Sequence, residues 1–384
     1  MNFKIIILQR ILPHYRAGIF RKLCERFPGM SVFYGQPFKN ESLKNADNLS
    51  ENFFINCRNT YFDKNGKLFI SKIFLKIKEL RPEIIISVFN AGNLNIYILF
   101  LLRKFLKFRI ILWSFGYDPV RGFEPDKNYT DKIRLYLSQK ADAVIFYWEN
   151  GREEVSKYSK VTGHYFVAPN TLDTDKQTEL KRKFEITGKE KIKSELGVKE
   201  KFHFVYVGRL LEDKQIDFLF KAFSHLEKDT DDIRLTIIGD GPEKSKLENL
   251  SRELNIKNIF FSGEITDEEL TGKWIFISDA FVMPGRLGLS VVHTFCFGTP
   301  VISQKKEKHF HGEGIGYIKD GVNGFLTEDG NISELAERMK RIISDPDLSD
   351  RLRRNAFYSS QNECSVENMI NGFEKAIKSV RMTT

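Results

Sequence analysis

Two cations follow a short apolar run in the second half of the chain, in the segment VYVGRLLEDKQIDFLFKAF. The run ends at Val207, Gly208 permits a tight exit, and Arg209 follows at once. Lys214 comes five residues later, near the start of a predicted helix. A guanidinium binds phosphate through forked hydrogen bonds, and an ammonium acts as a point charge. The pair therefore predicts a site for a diphosphate at the carboxyl end of a strand.

A glycine-rich loop follows further along, in DAFVMPGRLGLSVVHTFCFGTPVIS. A helix is predicted from about Ser290, and free N–H groups at a helix start favour an anion. The spacing matches neither the P-loop nor the G-x-G-x-x-G pattern. The segment predicts contacts to a phosphate or a sugar from the loop and the first helix residue, which are Gly285, Arg286, Leu287, Gly288, Leu289 and Ser290.

Two other turns follow predicted strands. In LTIIGDGPEK the glycines permit positive φ, and the simplest interpretation of Asp240 is a loop residue without a ligand. In FFSGEIT, the residues from Gly263 to Ile265, which include Glu264, could present backbone groups to a flat base.

Short β-branched runs alternate with helical patterns along most of the chain, which predicts parallel strands joined by crossover helices. The fold class is α/β, with two Rossmann-like doubly wound domains facing each other across a cleft. The first domain spans 1–170, a charged linker spans 171–200, and the second domain spans 201–364. A C-terminal helix at about 365–384 is a candidate to pack back on the first domain.

Composition narrows the classes of function. Residues 1–112 carry 19 Lys and Arg against 7 Asp and Glu, whereas the remainder carries 41 against 44. Such a basic region favours phosphates, nucleic acid or an anionic membrane surface. The four cysteines are scattered, which disfavours a disulfide framework or zinc site and favours a reducing compartment. The apolar run Leu94–Leu102 is too short to span a membrane.

Taken together, the three segments between about 200 and 330 resemble the retaining glycosyltransferases of family 4, which have the GT-B fold. The likeness includes KDGVNGFL, and it extends more weakly to ILPHYRAGIFRKL and VAPNTLDTD in the first domain. The resemblance implies that Arg209 and Lys214 hold the donor diphosphate and act as the catalytic cations. It implies that the glycine-rich loop contacts the transferred sugar, that Glu264 and Ile265 border the base, and that small Gly18 lets the phosphates approach.

The sequence departs from the family pattern at a pair of glutamates eight residues apart. Their positions hold Gly285 and His293. His293 could still hydrogen-bond ribose hydroxyls, and near a helix N-terminus it should prefer the neutral form. Glu313, in HFHGEGIGY, is a candidate substitute carboxylate. The departure also leaves open a non-catalytic homologue, or another GT-B enzyme such as a sugar-nucleotide epimerase.

Candidate acceptor residues lie in the first domain. Many family members have a His near the end of the strand in ILWSFGYDP, where this chain has Ser114-Phe115-Gly116 and the nearest ionisable group is Asp118. His14 and Arg16 lie on the first loop and would face the cleft in a GT-B fold.

The resemblance implies transfer without a metal or cofactor, because cations and a helix N-terminus supply the positive charge. The donor would be a UDP- or GDP-linked sugar, and no D-x-D motif is evident. The stretch LNIYILFLLRKFLKFRIIL could lie on a membrane surface or be a buried crossover helix. We therefore expect a cytoplasmic enzyme, peripheral on the inner membrane face, whose acceptor is a glycan or a polyprenyl-diphosphate-linked sugar in polysaccharide or lipopolysaccharide assembly. Nucleic-acid binding is disfavoured, because no recognised motif occurs.

Overall fold

The structure is a computed structural model. It describes residues 3–39, 41, 43–47, 49–118, 121–306 and 310–382. The chain folds into two compact units. The first comprises Met1–Asp173 and Val366–Thr384, and the second comprises Thr174–Ser365.

The first unit is built on a parallel sheet of apolar strands. Sequences such as IIILQ and IIISV are apolar on both faces, as a sheet covered by helices on both sides requires. Its strands are β1 (Ile5–Gln9), β2 (Met30–Tyr34), β3 (Phe54–Asn56), β4 (Asn59–Tyr61), β5 (Phe69–Ser71), β6 (Ile84–Val88), β7 (Arg109–Ser114), β8 (Ala143–Phe146) and β9 (Tyr165–Val167). β4 and β5 pair antiparallel, and the other seven form one sheet in the order β3-β2-β1-β6-β7-β8-β9.

Five helices connect these strands. α3 and α4 begin at asparagine caps, since the side chains of Asn93 and Asn128 accept hydrogen bonds from main-chain N–H groups in the first turn. The helix after β1 begins directly after Pro13 and has no side-chain cap. The helices are α1 (His14–Arg26), α2 (Phe74–Leu80), α3 (Leu94–Leu106), α4 (Tyr129–Lys140) and α5 (Glu149–Ser156).

The second unit repeats the design with six parallel strands. They are β10 (Phe202–Val207), β11 (Ile233–Ile238), β12 (Ile259–Gly263), β13 (Ala280–Val282), β14 (Val301–Gln304) and β15 (Gly324–Thr327), in the order β12-β11-β10-β13-β14-β15. Its helices are α6 (Thr174–Thr187), α7 (Lys189–Glu195), α8 (Ile216–Glu227), α9 (Lys244–Glu253), α10 (Glu268–Ile277), α11 (Ser290–Cys296), α12 (Ile332–Ser344) and α13 (Pro346–Asn362). The predicted architecture of two doubly wound α/β halves is confirmed.

The last helix, α14 (Val366–Met382), packs against β8, β9 and α1 of the first unit. Its apolar face joins the core of that unit, where the Phe373 ring lies 5.0 Å from that of Trp113. Gly372 lies so close to the main chain at Val167 and Ala168 that a Cβ there would clash. Residues 383 and 384 of the segment expected to be helical lie outside the described residues.

The structure differs from the sequence-based expectation at 171–200. This stretch is not a separate linker, because α6 and α7 pack on α10 and α11 within the second unit. Phe184 is buried, and its ring lies 5.7 Å from Phe276 and 5.8 Å from Phe297. Most charged residues of the segment are exposed, and their number makes the inward-facing apolar residues hard to recognise in the sequence. The boundary between the two units falls after Asp173.

Two smaller features also differ from expectation. A helix is predicted over 68–80, but Phe69–Ser71 forms β5 and helix α2 begins only at Phe74. The sequence analysis also does not predict β2, which pairs between β1 and β3, or β3, a three-residue strand at the edge of the sheet. No helix in the described part of the chain is long and apolar enough to cross a membrane.

Candidate functional site

The exit of β10 is held by main-chain hydrogen bonds on both sides. Gly208 N donates to Ile238 O at 2.9 Å, and Leu210 N donates to Asp240 O at 3.0 Å. The Tyr206 hydroxyl donates to Arg209 O at 2.9 Å. Gly239 has φ +145°, and a Cβ there would meet the carbonyl group of Gly208. These contacts fix the backbone of exposed Arg209 at the carboxyl edge of the six-stranded sheet.

Lys214 is fastened to the glycine-rich loop. It ends a 3₁₀ turn, Glu212–Lys214, and its Nζ donates to Arg286 O at 2.5 Å. The loop in turn donates two main-chain hydrogen bonds to the 3₁₀ turn. Gly285 N donates to Lys214 O at 2.9 Å, and Arg286 N donates to Asp213 O at 2.8 Å. Burial lowers the pKa of Lys214, and this effect exceeds the opposing influence of Asp213. An ammonium has three N–H donors, and the bond to Arg286 uses one.

The Gly285 position has no room for a side chain. A Cβ there would lie against the carbonyl oxygens of Asp213 and Lys214, which are main-chain atoms that cannot move aside. Gly288, three residues later in the same loop, has nothing within 4 Å of its Cβ position. The carboxylate that the family pattern places at 285 is therefore excluded by the close approach of the turn around Lys214.

His293 lies on α11, which has seven residues. Its ring is 5.6 Å from that of Phe297, and its Nε2 is buried with no hydrogen-bond partner in the described structure. Burial lowers the pKa of His293 to about 4, although Glu268 opposes the shift. The side chain is therefore neutral at physiological pH, so Nε2 can bond to a hydroxyl.

A histidine that the sequence analysis did not single out supports the loop. Leu287 N donates to His311 Nδ1 at 3.3 Å, and His311 Nε2 donates to Gln304 O at 2.9 Å. This pair of bonds requires the tautomer with the proton on Nε2. Burial lowers the pKa of His311 to about 4, so the ring stays neutral. His311 stands two residues before Glu313 in the motif HFHGEGIGY, but its residue type alone does not mark it as a support of the loop.

Glu313 lies beside the same loop. Gly312 N donates to Leu287 O at 3.0 Å, and a Cβ at Gly314 would meet Gly288 O. Half-buried Glu313 stands between these two contacts, at the start of a 3₁₀ turn. Its carboxylate therefore belongs to the segment that covers the glycine-rich loop.

The predicted base-binding residues follow the edge strand of the same sheet. Glu264 is exposed and Ile265 is half-buried, directly after β12. The carboxyl ends of parallel strands form one edge, which is where doubly wound sheets bind ligands. The structure thus brings the donor-side residues of the second unit to a single edge: Gly208, Arg209, Lys214, Glu264, Ile265, Gly285, Arg286, Leu287, Gly288, Leu289, Ser290, His293 and Glu313.

The acceptor-side candidates and Gly18 lie in the first unit. His14 is exposed at the first residue of α1, and Arg16 is buried in the same turn. Asp118 follows β7 in a tight turn, where its Oδ1 accepts from Arg121 N at 3.1 Å. The Cβ position of Gly18 is covered by the carboxylate of Asp173. A larger side chain at Gly18 would therefore meet Asp173, and the role of Gly18 in the approach of the donor phosphates stays a prediction.

Residues 188–358 match the family model of glycosyl transferases group 1. This part of the chain is similar to that family. An uncharacterized glycosyltransferase of Methanocaldococcus jannaschii is 26% identical over 319 residues, which cover 73% of this chain and 76% of that protein. A lipopolysaccharide core biosynthesis glycosyltransferase of Rhizobium meliloti is 28% identical over 150 residues, covering 38% of this chain and 41% of that protein.

Among solved structures, the Anabaena protein HepE in complex with UDP has a TM-score of 0.72 at 16% identity. The match covers 98% of this chain and 100% of HepE. At this identity the likeness concerns the fold alone, and it confirms the expected GT-B fold class with its two Rossmann-like halves. Membership of family 4, the retaining mechanism and the site residues stay predictions. Among the described residues, no group of three or more His, Cys, Asp or Glu side chains is placed to hold a metal ion.

Proposed function

We propose that this protein is a glycosyltransferase that moves a hexose from a nucleoside diphosphate sugar to an acceptor, with retention of anomeric configuration and without a metal. The observation that carries the proposal is the bond from Lys214 Nζ to Arg286 O, which joins one cation to the glycine-rich loop. Arg209 follows a strand at the same sheet edge. Two cations and a loop rich in N–H groups form a suitable cradle for a diphosphate.

The charge of the leaving group sets the chemistry. As the bond from the anomeric carbon to the diphosphate breaks, negative charge grows on the phosphate next to the sugar, and Arg209 and Lys214 stabilise it. The acceptor hydroxyl attacks from the same face, and the departing phosphate oxygen takes its proton. The anomeric carbon then exchanges one oxygen for another without a side-chain nucleophile.

Two residues take the place of the missing glutamate pair. Neutral His293 offers Nε2 to a ribose hydroxyl, and Glu313 offers a carboxylate beside Gly288 and the transferred sugar. This arrangement accommodates the exclusion of a side chain at Gly285. It predicts that donor hydroxyls are read from the segment around 311–314 as well as from α11.

We further propose that the acceptor is a glycan or a lipid-linked sugar at an anionic membrane surface, in cell-surface polysaccharide or lipopolysaccharide assembly. The R. meliloti relative supports this choice of pathway. α3 exposes two large apolar side chains one turn apart, since Leu101 is 65% exposed and Phe105 is 80% exposed, and Lys104 beside them is also exposed. Apolar side chains interleaved with cations suit a peripheral membrane contact.

Donor binding can be tested by thermal shift with UDP, GDP and ADP. The HepE complex makes UDP the first choice. At 100 times its dissociation constant, the true nucleotide should add about 2.7 kcal/mol of stability. We expect R209A to lose the shift and EDTA to leave it unchanged. R252A is the matched control, because Arg252 is exposed on α9 and bonds to Asn249.

The reaction itself needs product analysis. Incubation with the sugar nucleotide that binds should release nucleoside diphosphate only when an acceptor is present, and the product should keep the donor's anomeric configuration. An altered sugar nucleotide formed without acceptor would instead identify an epimerase. Absence of binding by all three nucleotides would contradict the donor site and favour a non-catalytic homologue.

A further inference from the structure

Arg16 is a buried cation in the first turn of α1. It is 8% exposed, and its guanidinium carbon lies 4.4 Å from the centre of the Trp113 ring. The polar groups that contact it include Asn170, whose Oδ1 accepts from Arg16 Nη2 at 3.3 Å, and the hydroxyls of Tyr15 and Tyr147, all of which are neutral. Within the described residues, no carboxylate lies at ion-pair distance from Arg16.

Arg16 has no anionic partner among the described residues; burial lowers its pKa, but Tyr147 and Tyr15 outweigh this and raise the pKa. A buried charge costs free energy unless an opposite charge or strong hydrogen bonds compensate it. The N-terminal end of a helix is also the positive end of its dipole, and the first turn of α1 contains no acidic residue. A negatively charged ligand group beside Arg16 would relieve both effects.

Two unsatisfied donors belong to the same layer. Trp113 Nε1 and Gln9 Nε2 are buried without a hydrogen-bond partner among the described residues. Leu8 on β1 pairs with Ser87 on β6, so the next residue, Gln9, lies beside Val88. Val88 in turn pairs with Trp113 on β7, so Gln9, Val88 and Trp113 lie side by side on adjacent strands. Because successive side chains of a strand point to opposite faces of the sheet, Gln9 lies on the same face as Ile7. Ile7 packs in the same core as Trp113.

We propose that Arg16, Gln9 and Trp113 bind an oxyanion, either a carboxylate or a phosphate, that is carried by the sugar acceptor. Each of the three supplies N–H groups, and a group that only accepts hydrogen bonds matches all of them. The assignment to the acceptor rests on the proposed function, in which the donor diphosphate is held by the second unit. The enzyme should therefore prefer an acidic acceptor to its neutral counterpart.

The test uses the full chain and three probes at constant ionic strength: D-glucuronate, glucose 6-phosphate and D-glucose. Tryptophan fluorescence and thermal shift report binding, since Arg16 lies over Trp113. We expect wild type to bind one or both anions and not glucose, which also separates carboxylate from phosphate. R16M should weaken anion binding by about tenfold or more. The melting temperature of R16M without ligand reports whether the variant still folds.

R21M is the matched control, since Arg21 lies on the same helix but already pairs with Glu51. It should retain wild-type anion affinity. Wild-type affinity in R16M, or no anion binding by wild type, would overturn the proposal. So would a lower melting temperature of R16M with an unchanged response to anions, which indicates a structural arginine.

UDP titration separates this proposal from the proposed function. R16M should keep UDP affinity, and R209A should lose it while still binding the anion. Loss of UDP binding in R16M would mean that the oxyanion is the donor's diphosphate, and the acceptor assignment would be wrong. An anion site that behaves as expected in a protein that binds no nucleotide would overturn the proposed function and leave the site standing.

Discussion

Lys214 Nζ donates to the main-chain oxygen of Arg286 at 2.5 Å, so the cation and the glycine-rich loop form one unit. The bond spans 72 residues of sequence. In the proposed function, the cation that binds the diphosphate therefore also positions the N–H groups of the loop that contact the same ligand. A change at Lys214 should therefore affect both charge and loop geometry.

We expect K214A to lower kcat/KM for the sugar nucleotide by about 10²–10³-fold, the range found when a donor to transition-state charge is removed. Because burial lowers the pKa of Lys214, the free enzyme should lose UDP affinity as pH rises through that lowered value, below the pH at which an ordinary lysine deprotonates. The arginine of K214R keeps its charge at these pH values, so the loss of UDP affinity at high pH should disappear in this variant. K221A on α8, where Lys221 pairs with Asp217, is the control. If K214R still loses UDP affinity at high pH, Lys214 is excluded as the source of that pH dependence.

Gly285 and Gly288 provide a matched pair. G285A should destabilise the protein by about 1–3 kcal/mol, because its Cβ would press on the main chain of Asp213 and Lys214. G288A meets nothing within 4 Å and should change the unfolding free energy by less than about 0.5 kcal/mol. Urea denaturation at neutral pH measures both.

G285E extends this test to function. If the close turn excludes the family glutamate, G285E should lower stability and not increase activity. Increased turnover by G285E would show that the loop can open to accept a carboxylate, and the proposed substitution by Glu313 would then be unnecessary.

The sequence predicted the two-sheet fold because its central strands are continuous apolar runs bounded by glycines, as at Val207-Gly208. It predicted Arg209 and Lys214 as a pair for the same reason, since residues after a strand meet at the carboxyl edge. The local sequence pattern could not show that the turn around Lys214, 72 residues earlier, leaves no room for a side chain at Gly285, because that contact depends on tertiary packing.

His311 and Asp173 illustrate the same limit. A histidine that bonds Leu287 N with one nitrogen and Gln304 O with the other has no sequence signature beyond its type. Asp173 covers Gly18 from 155 residues of chain away, so a reason based on phosphate access could not anticipate it. The packing of α6 in the second unit could not be predicted from composition, because its charged residues outnumber the few apolar residues that face inward.

Membrane attachment can be tested on α3. We expect the wild-type chain to sediment with vesicles of phosphatidylglycerol and phosphatidylcholine at low salt, and less with phosphatidylcholine alone. L101S/F105S should weaken that binding by about tenfold or more, because burying one such side chain contributes about 1.5–3 kcal/mol. I186S is the control, since Ile186 is 88% exposed in the second unit. Wild type that stays in the supernatant with both vesicle types would contradict the membrane proposal.

His293 should make the protein sensitive to acid. Its pKa is lowered by burial from the ordinary value of 6.5 to about 4, so between these pH values the unfolded chain binds a proton that the folded chain does not. Stability therefore rises with pH across this window and is lost as pH falls, by roughly 3 kcal/mol for a shift of this size. His311 acts in the same direction.

H293N removes the titrating group, so its unfolding free energy should fall less than that of wild type between pH 7 and pH 4.5. Urea midpoints at the two pH values measure the difference, and H293N/H311N should show a still smaller fall. Since Nε2 of His293 is assigned to a ribose hydroxyl, H293N should also bind UDP more weakly at pH 7, where protonation plays no part. Equal pH dependence in wild type and H293N would show that the ring is protonated without cost in the folded state, and UDP affinity unchanged in H293N would remove it from the donor site.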